Sequence, residues 1–291
     1  FLALNAAKGM TPRLFWKIVQ GVPDPSRIFS MSEEQLMGMG LNREVAGHLL
    51  HECDPEHFSG QEEQRIREIG GKILIHGDSG YPPSLLQIAD PPPVLYLVGT
   101  LTKEDRLAFS IVGSRAASTQ GRLNAETIAG KLAGLGLTIV SGLAMGIDTW
   151  AHQGALMAGG RTIALLGCGL DHPYPKYNRD LRERIAEHGA LVSEFPLGAP
   201  PLPMNFPRRN RLISGISMGT LVVEAAKKSG SLITAKFALD QGRDVFAIPG
   251  NIRSPLSSGV NALIKKGAKL VERVQDIIEE FPDEVRKYLR S

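Results

Sequence analysis

The densest group of basic side chains in the sequence is FPRRNRLISG, residues 206–215, where three arginines and an asparagine follow a proline. A guanidinium presents N–H donors in a fork that matches two phosphate oxygens, and asparagine can orient such an oxygen or bond a base edge. Charge runs are also common on solvated surfaces, and some of these arginines could instead hold the loop by pairing with Glu194 or Glu224. The stretch is therefore a candidate wall of a phosphate groove, with two structural alternatives.

Small polar residues follow the apolar segments in the second part of the chain. SIV is followed by Gly113-Ser114-Arg115, TIV by Ser141-Gly142, and ALL by Gly167-Cys168-Gly169. The N–H groups and hydroxyls of such turns suit phosphate oxygens when a helix begins there. Because strand-to-helix turns need glycine anyway, one turn alone decides nothing. Three such turns with Arg115 on one sheet edge favour an anion site.

The segments around these turns predict the fold of residues 106–281. Apolar strand-like runs alternate with amphipathic helices, and the runs are LAFSIVG, LTIVSG, RTIALLG, ALVSE, GTLVVEA and DVFAIPG. This alternation predicts an α/β fold with a doubly wound, mostly parallel sheet. Ligands of such sheets bind beyond the carboxyl ends of the strands, where the small polar residues lie.

Residues 1–75 are predicted to form a small all-helical domain. Leu14, Phe15, Ile18 and Val19 share one helical face, and SMSEEQ offers Ser32 as an N-cap with a glutamine at the capping-box position. Residues 76–105 are rich in proline and are predicted to connect the two domains, with VLYLVG as an edge strand. Residues 282–291 are predicted to be a tail.

Composition indicates an ordinary globular protein, with 43% hydrophobic and 22% charged residues. Residues 1–110 hold 10 basic and 14 acidic side chains, whereas residues 111–291 hold 23 and 16, so the positive excess lies in the second part. This asymmetry favours a polyanionic partner there. Because no apolar run is long enough for a membrane span, we expect a cytoplasmic protein without membrane contact. The chain begins at Phe1 without a methionine, and we expect residues to precede it.

Several familiar site patterns fail in this sequence. The first strand-to-helix turn reads GSRAAS instead of GxGxxG, and GxxxxGK[ST] does not occur, so we expect no nucleotide cofactor there. GISMG at 215–219 fits GxSxG, but the strand follows Ser217 instead of preceding it. Asp148 lies ahead of a helix and suits an N-cap as well as a catalytic role. The group His48, His51, Cys53 and His57 has no known ligand spacing, and no metal site is predicted.

Seven segments in a fixed order resemble the DNA-processing protein A family, DprA or Smf. They are GSR at 113–115, SGLAMGID at 141–148, GCGLDHPYPKYN at 167–178, SEFPLG at 193–198, FPRRNRLISG at 206–215, VVEAAKKSGSLITA at 222–235 and GRDVFAIPGN at 242–251. The resemblance implies an extended Rossmann-like domain without GxGxxG, preceded by a helical domain similar to a sterile alpha motif. It also implies a non-enzymatic protein that binds and protects single-stranded DNA and helps load the RecA recombinase in natural transformation. Many members carry a winged-helix-like domain at the C-terminus, and we expect none within these 291 residues.

The resemblance also implies which residues bind DNA, with Arg115 and Arg211 foremost. The predicted DNA-binding residues are Gly113, Ser114, Arg115, Ser141, Gly142, Lys176, Asn178, Arg208, Arg209, Asn210, Arg211, Ser231 and Lys236. Tyr174, Tyr177 and Phe206 are candidate surfaces for base stacking. A homodimer is implied through Val260, Leu263, Ile264 and Leu270. The alternative function is a nucleotide phosphoribohydrolase of the lysine-decarboxylase-like family, which Met218-Gly219-Thr220 before Glu224 faintly resembles.

Overall fold

The computed structural model describes residues 1–51 and 54–290, which form a group of N-terminal helices followed by a nine-stranded sheet between two helical layers. The first helices are α1 Leu2–Ala6, α2 Pro12–Gly21, α3 Glu33–Gly38, α4 Arg43–His51 and α5 Pro55–Glu68. The Ser32 hydroxyl accepts a hydrogen bond from the Gln35 N–H at 3.2 Å, and the Gln35 side chain accepts one from the Ser32 N–H at 2.8 Å. The predicted capping box is therefore confirmed. Phe15 and Ile18, on the predicted apolar face of α2, are fully buried.

The remaining helices and all the strands alternate along the chain as predicted, except for an antiparallel pair at the start. The strands are β1 Gly71–Ile75, β2 Val94–Gly99, β3 Ala108–Val112, β4 Thr138–Ser141, β5 Thr162–Leu166, β6 Gly189–Ser193, β7 Gly219–Val222, β8 Asp244–Ala247 and β9 Lys269–Leu270. The helices are α6 Thr119–Gly134, α7 Ile147–Met157, α8 Arg179–His188, α9 Asn205–Gly215, α10 Ser231–Asp240, α11 Ser258–Lys265, α12 Gln275–Ile278 and α13 Asp283–Arg286.

The sheet has the order β1-β2-β6-β5-β4-β3-β7-β8-β9, and the strands from β6 to β9 all run parallel. The predicted α/β class is therefore confirmed. Strand order reverses between β3 and β7, because β4 to β6 wind to one side and β8 and β9 to the other. A crevice outside the carboxyl ends of the strands is expected at this reversal.

Alternating side chains of β3 pack into the two hydrophobic cores, one on each face of the sheet. Ala108 and Val112 face the core beneath α9, α10 and α11, while Phe109 and Ile111 face the core beneath α6 and α7. Burial of a strand on both faces explains its continuous apolar sequence. Among the described residues, no helix is long and apolar enough to cross a membrane.

Three predictions about local structure are wrong. Residues 1–75 are not all helical, because Gly71–Ile75 form strand β1, which pairs with β2. VLYLVG is an inner strand, because β2 pairs antiparallel with β1 on one side and with β6 on the other. Val94 to Leu97 are fully buried, as a strand with both faces covered requires. FPRRNRLISG, interpreted as a loop, lies entirely within helix α9. Pro207 is tolerated there because the N–H groups of the first helical turn have no intrahelical acceptor.

Candidate nucleic-acid interface

A cavity of about 670 Å³ lies at the carboxyl ends of β3, β4 and β7, where the strand order reverses. Four segments line it: the turn after β3 at 112–116, the turn after β4, the start of α9, and the turn that joins β7 to α10. We call this cavity the carboxyl-edge groove. Its position is the one that a doubly wound sheet offers to ligands.

Arg115 is an exposed cation in the lining of this groove. Its side chain is exposed, and its guanidinium carbon lies 5.3 Å from the centre of the Phe206 ring. The Phe206 ring is in turn 5.6 Å from that of Tyr174. In the part of the chain that the structure describes, no carboxylate lies within ion-pair distance of Arg115. A guanidinium stacked on an aromatic face keeps its N–H fork free for an anion.

The residues before Arg115 fix the turn that carries it. The Ser114 N–H donates to the Glu224 carbonyl at 2.8 Å, and the Ser114 hydroxyl accepts from the Ala116 N–H at 3.2 Å. A side chain at Gly113 would come within 2.5 Å of Ile147, so this position needs glycine for the close approach of α7. Gly113 and Ser114 both line the groove, but their groups mainly shape the turn.

Two further predicted residues lie beneath the groove and support its floor. The Ser141 hydroxyl is fully buried and donates to the Ile111 carbonyl at 2.6 Å. Gly142 donates its N–H to Asp148 Oδ2 at 3.1 Å and accepts from Arg209 Nη1 at 3.0 Å through its carbonyl. Asp148 also accepts from the Ala144 N–H at 3.3 Å, so it stabilises the turn before α7. It is not the N-cap of this helix, because it lies inside α7 and Gly146 is the residue that precedes the helix.

Arg209 and Asp148 form the buried charged layer under the groove. Arg209 is only 4% exposed and donates to the carbonyls of Gly142 and Leu165. Burial lowers the pKa of Arg209 to about 10, against the opposing effect of the Asp148 charge. Burial likewise raises the pKa of the Asp148 carboxyl, and the Arg209 charge acts to lower it. Both residues reach the groove lining, although neither is free of partners.

Arg208 and Arg211 face away from the groove and pair with carboxylates. Arg211 is 2% exposed and holds Glu194 through two hydrogen bonds of 3.1 and 2.9 Å, while its Nε donates to Asp90 at 2.9 Å. Arg208 donates to Glu194 Oε2 from Nη2 at 3.1 Å and from Nε at 3.2 Å, and its Nη1 also donates to the Met10 carbonyl. The internal pairing with Glu194 that the sequence left open is therefore present. The Arg211 fork has no accessible donor for a phosphate in this arrangement.

The segment between β5 and α8 contributes one exposed cation. Lys176 and Tyr177 are exposed, with Tyr177 at 60%. Asn178 is buried, because its amide donates to the Leu143 carbonyl at 3.1 Å and to the Thr149 hydroxyl at 2.9 Å. Lys176 is thus accessible to a ligand, whereas Asn178 fixes the segment against the turn after β4.

The turn between β7 and α10 closes the other side of the groove. Asn210 donates to the Gly230 carbonyl at 3.4 Å, and the Ser231 hydroxyl lies 2.8 Å from that of Ser229. Lys228, which the sequence reasoning missed, lines the groove and is exposed. Its position in the Ser-Gly-containing turn just before α10, which begins at Ser231, was the signal that could have identified it. Lys236 is exposed on α10 but does not line the groove.

Glu224 and Ser217, which the sequence offered as alternative catalytic residues, form hydrogen bonds that stabilise the local structure. Glu224 accepts from the Ser118 N–H at 2.9 Å and the Ser118 hydroxyl at 2.5 Å, at the start of α6. The Ser217 hydroxyl is buried and donates to the Ile213 carbonyl at 2.9 Å, between α9 and β7. No three His, Cys, Asp or Glu side chains are grouped to hold a metal ion within residues 1–51 and 54–290. Cys53 lies outside the described residues.

The predicted dimer residues differ in their accessibility. Val260 is 1% exposed and belongs to the core beneath α11, and Leu263 and Ile264 pack partly against the same core. Leu270 is 44% exposed on β9, which is an edge strand of the sheet. Of the four, Leu270 is the side chain most available to a second copy of the chain.

Comparison with known proteins identifies several relatives. Residues 72–282 match the family described as DNA recombination-mediator protein A. The chain is 51% identical to Protein Smf of Escherichia coli over 214 residues, which cover 72% of this chain and 56% of that protein. It is 48% identical to DNA processing protein DprA of Streptococcus pneumoniae over 207 residues, which cover 70% of this chain and 72% of that protein. The chain therefore spans little more than half the length of the first relative.

Two solved structures have the same fold over most of their length. The X-ray structure of DNA processing protein A from Streptococcus pneumoniae matches with a TM-score of 0.81 and 38% identity, covering 96% of each chain. DNA processing protein A from Helicobacter pylori, whose structure concerns its single-stranded DNA binding mode, matches with a TM-score of 0.65 and 32% identity. That match covers 72% of this chain and 94% of the other.

Proposed function

Because this chain belongs to the DNA recombination-mediator protein A family, we propose that it binds single-stranded DNA along the carboxyl-edge groove. The observation that carries the proposal is the free guanidinium of Arg115, which lies over Phe206 at the reversal of strand order. An unpaired cation on an aromatic ring combines attraction for a phosphate with a surface on which a base can stack.

The groove offers further groups to a strand. Lys228 and the start of α10 line one side, and Lys176 is exposed beyond the turn after β5. Phosphate contacts by Arg115, Lys176 and Lys228 would be independent of sequence, since the backbone carries no base information. The exposed ring of Tyr177 is an additional stacking surface. We leave Arg211 out of this set, because its donors are taken by Glu194 and Asp90.

Fluorescence anisotropy with a labelled oligothymidine and its duplex tests the binding proposal. We expect the single strand to bind more tightly, because a stacked base must leave the pairing of a duplex. Arg115→Ala should weaken single-strand binding roughly tenfold, the value of one charge-assisted phosphate contact. Lys131→Ala removes an exposed charge on α6, outside the groove lining, and is the matched control. Equal affinity of wild type and Arg115→Ala would contradict the proposal.

We also propose that the bound strand is protected and passed to a recombinase of the RecA type during DNA processing or natural transformation, in the cytoplasm. The family name and the relatives support this role. The test measures recombinase ATPase on a strand covered by a single-strand binding protein, with and without this chain. Stimulation that is reduced in Arg115→Ala supports strand handover, and unchanged ATPase argues against it.

Self-association at the β9 edge is a separate proposal. It rests on the exposed Leu270 and the unpaired side of this strand. Light scattering on Leu270→Glu should give a smaller particle than the wild type, because a buried carboxylate opposes the contact. A folded variant with wild-type mass would remove this edge from the proposed interface.

We propose a binding protein and not an enzyme. The phosphoribohydrolase alternative is weakened because Thr220 is fully buried and Glu224 is bonded to Ser118 at the start of α6. Incubation with nucleoside monophosphates, followed by chromatography for released base, distinguishes the two functions. Catalytic release of base would overturn the non-enzymatic assignment.

A further inference from the structure

We infer that the opposite edge of the sheet carries a second anion-binding cavity, suited to a small phosphorylated molecule of the nucleoside monophosphate class. A cavity of about 690 Å³ lies where β3, β7 and β8 begin, between the turns that precede these strands and the loop at 79–87. We call it the amino-edge cavity. Because β3 has five residues, roughly 17 Å of strand separates it from the carboxyl-edge groove.

The charges around the amino-edge cavity are mostly positive once internal pairs are removed. Asp105 is the one carboxylate that lines the cavity within the described chain, and Arg161 pairs with both of its oxygens at 2.9 Å. The same carboxylate accepts from the Thr138 hydroxyl at 2.8 Å and the Thr102 N–H at 2.7 Å. Its charge and its acceptor sites are therefore engaged within the protein.

Three cations remain on the cavity wall, namely Lys103, Arg106 and Arg243. In the described part of the chain, neither Arg106 nor Arg243 lies within ion-pair distance of a carboxylate, whereas Lys103 interacts electrostatically with the neighbouring Glu104. Arg106 donates only its Nε, to the Lys103 carbonyl at 3.1 Å. Three cations around one concave space, of which the two arginines have no carboxylate partner, raise the local potential and attract an anion.

Arg243 has a hydrogen-bonding deficit that supports a ligand. Its Nε is shielded from solvent, yet no acceptor of the described residues bonds it. The main-chain N–H of Arg243 donates to the Ala238 carbonyl at 2.8 Å, which fixes the backbone at the start of β8. Buried donors are nearly always bonded, so an unbonded guanidinium nitrogen beside a cavity calls for an acceptor. Arg106 and Arg243 together supply two forks of the geometry that phosphate prefers.

The rest of the wall is apolar and fits a ligand with more than a phosphate group. Leu101, Ile216, Met218 and the buried ring of Tyr81 line the cavity. The Tyr81 hydroxyl donates to the Pro92 carbonyl at 2.7 Å, so the ring is held in place and its polar end is satisfied. A volume of this size matches small-molecule sites, and an apolar wall suits a planar base. A nucleoside monophosphate combines both features.

Isothermal titration of the full chain with adenosine 5′-monophosphate tests the inference. We expect saturable binding of one molecule per chain, and at least roughly tenfold weaker binding of adenosine and of inorganic phosphate, since each lacks one half of the contacts. Arg106→Ala and Arg243→Gln should each weaken the nucleotide roughly tenfold. Lys131→Ala, which changes an exposed charge outside the cavity, should bind as the wild type does.

A competition experiment separates this cavity from the carboxyl-edge groove. Nucleotide binding should be unchanged when a saturating oligothymidine occupies the chain. Displacement of the nucleotide by the oligothymidine would overturn the inference and leave the single-strand proposal intact. Failure to bind the nucleotide, or undiminished binding by Arg106→Ala with its fold verified by circular dichroism, would also overturn it. Arg106 is exposed, so this variant remains decisive even if Arg243→Gln does not fold.

Discussion

Arg115 and Arg211 are both arginines near the carboxyl edge of the sheet, but their surroundings are opposite. Arg115 follows a strand, is exposed, and lies over the Phe206 ring without a carboxylate partner among the described residues. Arg211 belongs to the most basic run of the sequence, yet it is 2% exposed and is held by Glu194 and Asp90. The isolated arginine is available to a ligand, and the clustered one is a structural cation.

Pairing with carboxylates, and not local charge density, therefore decides where an anion can bind. A buried arginine with two carboxylates contributes little field outside the protein, because its charge is compensated at short range. Arg208, Arg209 and Arg211 therefore join α9 to the sheet and to the N-terminal helices. Arg115 is left to act on solvent and ligands.

Arg211→Ala should have the largest effect, on stability. Removing this partner leaves the fully buried Glu194 with Arg208 alone, and breaking a buried pair costs about 3–5 kcal/mol of the free energy of unfolding. Denaturant unfolding monitored by circular dichroism measures the loss. Arg115→Ala, with its exposed side chain, is the matched control and should change stability by less than about 0.5 kcal/mol. A loss below about 1 kcal/mol in Arg211→Ala would contradict the structural role of Arg211.

His152, a fully buried residue of α7, should make stability depend on pH. Burial lowers the pKa of His152 to about 3, so the folded protein leaves it neutral while the unfolded chain protonates it below about pH 6.5. Lowering the pH through this window therefore favours the unfolded state, by about 2 kcal/mol at pH 5 relative to pH 7. Unfolding of wild type and His152→Leu at the two pH values checks this. The variant should lose about that much less stability on acidification, and identical pH profiles would disprove the assignment.

Lys228→Ala should give the smallest of these effects. This lysine lines the groove but is an exposed, flexible cation, so its removal should weaken single strands by roughly three- to fivefold, less than a bidentate arginine contact. Anisotropy with oligonucleotides of different sequence should report the same factor for each, because a phosphate contact carries no base information. A loss confined to one sequence would assign Lys228 to base contacts instead.

The core of the fold could be predicted from the sequence because each of its strands has a continuous apolar run followed by a turn. The run LAFSIVG, which places side chains in both cores through β3, illustrates this. The place of VLYLVG could not be predicted in the same way. Its position inside the sheet depends on pairing with β6, about a hundred residues later, and local sequence does not encode that partner.

The candidate site could likewise be predicted only where it depends on local sequence. The turn at Arg115 was predicted, since it depends on one strand end and the rule for parallel sheets. From the sequence, internal pairing of Arg211 was only an alternative to phosphate binding. Its partner Asp90 is 121 residues away, and no local charge pattern predicts that contact. Lys228 was missed because its exposure depends on how the turn before α10 closes the groove.

The salt dependence of single-strand binding distinguishes the free arginine from the paired arginines. The logarithm of the association constant should fall linearly with the logarithm of salt concentration, with about −0.7 of slope for each phosphate neutralised. Arg115→Ala should reduce the magnitude of the slope by about 0.7. Arg208→Ala, which removes an arginine paired with Glu194, should leave the slope unchanged. A slope that is lowered by Arg208→Ala and unaffected by Arg115→Ala would contradict the assignment of the free arginine to the phosphate and of the paired arginines to the fold.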